Sequence, residues 1–111
     1  MNINDLTLGQ LKEISALQLG GQLSMINIWE VGENYLVRTV TMAISGKLKV
    51  VGPQELVFSD AAWIADIGRF SEALIDQDKF NEVEPFQNDV IVGRGSIIDA
   101  TKIIKLIRTM K

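Results

Sequence analysis

The sequence predicts an α+β fold: a small bent antiparallel sheet or partial barrel with an N-terminal helix and one or two further helices. Three observations predict it. The Gly20-Gly21 pair cuts off a first stretch whose apolar residues recur at helical spacing. Between Tyr35 and Phe58 the chain alternates apolar and polar residues and is broken by short turn signals, as strands with one buried face do. Helical spacing returns after Asp66 and again after Ser96.

The elements follow in order. Thr7 can cap the first helix, with Gln10 completing a capping box, and Leu8, Leu11, Ile14 and Leu17 form one apolar stripe. That stripe needs burial against its own body or a neighbouring subunit. Residues 1–19 are therefore read as an amphipathic helix open to exchange between subunits, and 22–111 as the body of a single domain. Met25 to Trp29 reads as a short strand. Tyr35 to Ile44 is the clearest strand, with Val40, Met42 and Ile44 alternating against Thr39, Thr41 and Ala43. Ser45-Gly46 then reads as a turn, Lys47 to Val51 as a strand, Gly52-Pro53-Gln54 as a turn and Glu55 to Phe58 as a third strand, which makes a meander. Alternation allows this last strand to run on to Ile64. From Asp66, a candidate cap, the spacing of Phe70, Ala73 and Leu74 supports a helix. Gln77 to Asn81 is turn-like, and Val83 to Phe86 and Val90 to Val92 read as short strands. Pro85 has no N–H to give a ladder and belongs on an edge. Ser96 and Asp99 resemble a capping box, and Ile103, Ile104, Ile107 and Met110 share a helical face behind it. The isoleucines leave 96–110 open to either helix or strand.

Composition narrows the function classes. A chain of 111 residues with 47% hydrophobic content suits one core, and a net charge of −3 is too small for disorder. No apolar run approaches the roughly 18 residues that span a bilayer, and the N-terminus lacks a basic start and apolar stretch, so no membrane partner is expected. With no cysteine and no histidine, thiolate chemistry, Ser-His-Asp and Cys-His mechanisms and histidine-held metals are excluded. A pI near 4.8 argues against general nucleic-acid binding, which needs a surplus of Lys and Arg. Asp76-Gln77-Asp78 and Glu82-Val83-Glu84 carry no catalytic or calcium-loop spacing and read as solvated surface. No enzyme, metal or cofactor is expected.

Three features remain as candidate ligand-binding positions. Around Arg94, Gly93-Arg94-Gly95 leads to Ser96 at a helix start, where backbone N–H groups can approach an anion; the bland alternative is a tight turn. Trp63, Asp66 and Arg69 lie within seven residues beside Phe70, so a planar ligand could stack on the indole while the guanidinium grips its phosphate. The alternative there is a core tryptophan, with Asp66 capping a helix and pairing with Arg69. Arg38 shares its strand face with Leu36, and a charge so placed needs a partner: Asp60, Asp66 or Asp99 in the fold, or a ligand or subunit.

The blocks NYLVRTVTM, ELVFSDAAWIADIGRFSEAL, EVEPF and VIVGRGSIIDAT, with NDLTLGQLKEI ahead of them, cover most of the chain. Together they resemble a family of small proteins of unassigned activity from tailed phages and prophages. The resemblance implies a phage-encoded protein at work in the cytoplasm of an infected bacterium or in the virion, and it draws attention to Arg38, Thr39, Asp60, Trp63, Asp66, Arg69, Arg94 and Asp99. The chain departs from the family at Ile67, where threonine is usual, and in its KIIKLIRTMK end, which replaces a Pro-Arg tail. Two functions follow as expectations: an oligomeric, non-enzymatic protein that captures a small anionic or nucleotide ligand or blocks a host defence, or a virion accessory protein of the capsid or tail. Both expect a homo-oligomer.

Overall fold

A computed structural model describes residues 28–111. Within them one antiparallel sheet holds six strands: β1 (Asn34–Thr39), β2 (Ala43–Val51), β3 (Glu55–Asp66), β4 (Glu82–Pro85), β5 (Val90–Gly93) and β6 (Ile97–Lys102). One α-helix, α1 (Phe70–Ile75), follows β3, and 3-10 turns cover Gln77–Lys79 and Arg94–Ser96. The order is β4-β3-β2-β1-β6, and β5 also pairs with β3. β4 and β5 thus lie end to end on one edge of the long β3, opposite Ala62–Asp66 and Glu55–Phe58 respectively. β6 returns to pair with β1.

This overturns the expected mixture of helices and sheet. The further helices reduce to one of six residues, and the fold of the described residues is mainly antiparallel sheet. Of the helix and the strand left open behind Ser96, the strand forms over Ile97–Lys102: Ser96 Oγ donates to Gly93 O at 2.7 Å, closing a turn, and the β-branched Ile97, Ile98 and Thr101 pair against β1. The helix expected over 1–19 lies outside the described residues, as does most of the Met25–Trp29 strand; Ile28 and Trp29 themselves are not in a strand. No helix among the described residues is long and apolar enough to cross a membrane.

The strand over Tyr35–Ile44 is in fact a hairpin. Thr39 and Met42 close it, with Thr39 N–H donating to Met42 O at 2.8 Å and the Thr39 hydroxyl accepting the N–H groups of Thr41 and Met42. Ser45-Gly46 is no turn but lies within β2, opposite a bulge at Asp60–Ala61 in β3. Asp60 there has φ of 51°, in the left-handed region, and the bulge bends the sheet.

Each face of the sheet carries a core. Tyr35, Val37, Ile44, Leu48, Leu56, Phe58 and Val92 make one core, with Tyr35 edge-on to Trp29 and Phe58. On the other face Leu36, Ala43, Ala62, Ile64 and Val83 meet Ala73 of α1, Phe80 and Ile103. The chain after β6 crosses this second face as a strap. Arg108 donates to Ala61 O and, at 3.1 Å, to Phe86 O, and Lys111 exchanges two backbone hydrogen bonds with Val83.

Candidate functional site

The residues singled out in the sequence fall into separate places. Arg38 stands opposite Asp99 on neighbouring strands, and its Nε and Nη2 reach the two carboxylate oxygens at 2.9 and 2.6 Å. Asp99 is thus the partner among the three carboxylates considered. The guanidinium also lies 4.4 Å from the centre of the Phe70 ring. Leu36, Leu74 and Thr101 complete a hollow of about 250 Å3 around this pair. With its cation already neutralised bidentately, Arg38 has little left to offer an anion.

Asp66 and Arg69 do not form the expected cap and ion pair. Asp66 Oδ1 accepts from Gly68 N at 2.9 Å, a turn that requires the positive φ of Gly68, 80°, and so delays the helix until Phe70. Arg69 occupies the N-cap position without a side-chain cap and faces Glu72 at 3.9 Å, both groups well exposed. Arg94 opens a 3-10 turn that runs into a strand, so no α-helix N-terminus faces an anion there. Its backbone N–H donates to Gln54 O at 2.9 Å, and its buried Nε has no hydrogen-bond partner.

Trp63 and Ser96 do share a surface. Trp63 lies in a row across the sheet, Ala100–Val37–Ile44–Trp63–Glu84, which is fully buried at Val37 and 37% exposed at the indole. It lines a hollow of about 290 Å3 with Met42, Glu84, Pro85 and Phe86. Met42 and Phe86 also line a second hollow of about 340 Å3, with Thr39, Val90, Ile91 and Ser96. The two hollows adjoin at this shared pair. The result is an apolar shelf with Glu84 as its single ionisable lining group and hydroxyls at its far end. Met42 and Phe86 were not singled out in the sequence: one sits in an unrecognised hairpin turn, and the other follows β4, held by its N–H to Ala61 O at 2.9 Å.

Ion pairs on the described surface carry a pH signature. Hydrogen bonding to Arg38 holds the Asp99 carboxyl below its ordinary value of 3.8, and the Asp78 N–H, then Lys105, do the same for Asp76. A carboxylate with a depressed folded pKa stabilises above its unfolded value and loses that contribution as pH falls through the folded one. Melting temperature should therefore drop below about pH 4. Asp99→Asn should flatten part of that drop, and an unchanged acid limb in a pH series of thermal melts would refute the assignment.

Comparisons with protein-family models, with curated proteins and with solved structures return no match for this chain.

Proposed function

We propose that the chain is a phage-encoded, non-enzymatic, oligomeric binding protein that sequesters a ligand with a flat ring, such as a nucleobase or nucleotide, in the host cytoplasm. One observation carries the reading: the adjoining hollows between Trp63 and Ser96, joined through Met42 and Phe86. An indole, a phenyl ring and a soft thioether on one shelf suit a planar apolar face, and Glu84 can accept from an amino or ring N–H at its margin. The arginines that a phosphate grip would need are dispersed, with Arg38 paired to Asp99 and Arg69 beside Glu72. Recognition therefore falls on the ring and not on the anion.

Tryptophan fluorescence tests this, because a Trp29→Phe variant leaves Trp63 as the single reporter. Adenosine and adenosine monophosphate should both quench it saturably with Kd below about 1 mM, and with similar affinity because no cation lines the shelf. Trp63→Ala, with binding then followed by calorimetry, should weaken the interaction at least about tenfold, as loss of a base-stacking ring does. Absence of quenching by either probe at millimolar concentration would remove the reading.

A second reading, a structural accessory of the virion, is favoured by isoleucines that stand out on the sheet, Ile91 at 70% and Ile98 at 66% exposure. Mass spectrometry of purified virions should then detect the chain in stoichiometric amount.

A further inference from the structure

The edge of β3 that β4 and β5 share has a gap between them. Pairing on one side ends with Ala62 opposite Pro85 and on the other with Phe58 opposite Val90, so residues 59–61 face no strand on that edge. Two segments close the gap. Phe86 N–H donates to Ala61 O at 2.9 Å. Arg108, arriving from the strap, donates to the same Ala61 oxygen through Nη1 and to Phe86 O through Nη2 at 3.1 Å. The guanidinium therefore stands where a ladder partner is missing, and Phe86 is held at both of its main-chain polar groups, once by β3 and once by the strap.

Phe86 is also the residue that, with Met42, lines both hollows of the shelf. Residues 87–89 after it form no regular element, so the direction of its ring rests on these hydrogen bonds and on packing against the core around Tyr35 and Phe58. No strap residue lines either hollow. The planar fork of an arginine, unlike a single ammonium, holds two carbonyls at a set separation. We propose that Arg108 is a positioning residue for the shelf: by clamping Phe86 O beside Ala61 O it sets the Phe86 ring, and so couples the seating of the strap to the binding of a ring. The inference rests on the shelf being the binding site. Because coupling of this kind is reciprocal, a ligand on the shelf stabilises the seated strap in turn.

NMR hydrogen exchange and adenosine titration of the full chain test this together. In Arg108→Ala the Phe86 amide should exchange at least about tenfold faster and the Phe86 ring protons should shift. The Val83 amide, which Lys111 O accepts at the strap's other fastening, should change less than about twofold. Arg108→Lys, which keeps the charge without the fork, should show the same split with the strap retained. Adenosine affinity should fall at least about fivefold in Arg108→Ala. Phe86→Ala and the double variant should bind alike, because the guanidinium acts through that ring. Equal acceleration at Val83 and Phe86 in both arginine variants would overturn the proposal by showing that Arg108 only fastens the strap. An unmoved Phe86 amide, or a mobile Phe86 with adenosine affinity unchanged, would overturn it as well. A wild-type chain that binds no adenosine removes the shelf reading alone, and the Phe86 and Val83 amides then decide the role of Arg108.

Discussion

Replacing Gln77 by leucine should lower stability by about 3 kcal/mol and the melting temperature by more than about 10 °C. Gln77 is fully buried, and its amide is used on both sides. Nε2 donates to Ala73 O at 2.9 Å and to Leu74 O at 3.0 Å, which are carbonyls left over at the end of α1. Oε1 accepts the N–H groups of Ile104 at 3.2 Å and Lys105 at 2.9 Å. One side chain therefore terminates the helix and fastens the start of the strap to it. Leucine fills similar space but leaves four main-chain groups without their partner, each costing on the order of 1 kcal/mol where water cannot replace it. The neighbouring Lys105 pairs with Asp76 and Asp78 are half-exposed and cannot compensate. Hydrogen exchange at Ile104 and Lys105 should rise more than in β2. A melting temperature within about 2 °C of wild type would show that the strap is held by its apolar contacts alone.

The sequence made some of this visible and hid the rest for identifiable reasons. Alternation placed strands at Lys47–Val51, Glu55–Phe58, Val83 and Val90, because residues that bury one face must repeat every second position whatever the fold does elsewhere. The Thr39–Met42 hairpin was hidden by the same rule: Thr-Val-Thr-Met alternates like a strand, and only the Thr39 hydroxyl, which accepts two N–H groups, betrays a turn. At the other end, Ser96 and Asp99 have capping-box spacing, yet each has another use. The Ser96 hydroxyl closes a 3-10 turn, and Asp99 meets Arg38 across a ladder formed 61 residues apart in sequence. Helical spacing of Ile103, Ile104, Ile107 and Met110 lost to strap contacts that no local pattern encodes. Gln77, in a stretch that reads as a polar turn, became a buried keystone for the same reason. At the site, Trp63 stood out in the sequence either as a stacking ring or as a core anchor, and the structure leaves it 37% exposed, whereas Met42 and Phe86 reach it from elements far apart in sequence. The candidate arginines stay apart because each belongs to a different element: Arg38 to β1, Arg69 to the N-cap of α1 and Arg94 to the 3-10 turn after β5.

Gly46 gives the other large effect, and here the sign is opposite to the usual expectation. Alanine for glycine inside a strand ordinarily stabilises by roughly 0.5–1 kcal/mol, because the unfolded chain loses freedom. At Gly46 an added Cβ would stand 2.9 Å from Phe58 Cβ and 3.3 Å from Ala61 Cβ. Both neighbours are fully buried, and both atoms are fixed to the β3 backbone, so no rotamer change relieves the contact. Gly46 pairs with Tyr35 on its other side, which prevents β2 from retreating toward β1 without disturbing the Tyr35 ring beside Phe58. The strands must separate at the Asp60–Ala61 bulge, where the sheet bends. Overpacking of this kind costs about 1–3 kcal/mol, enough to overcome the entropic gain. Gly46→Ala should therefore be destabilised by about 1 kcal/mol and Gly46→Val, with two further methyl groups against the Phe58 ring, by about 3 kcal/mol. Urea unfolding of both variants measures the difference through the transition midpoint at constant slope. An alanine variant as stable as wild type would mean that β2 and β3 separate there without loss, and that the bend does not depend on glycine.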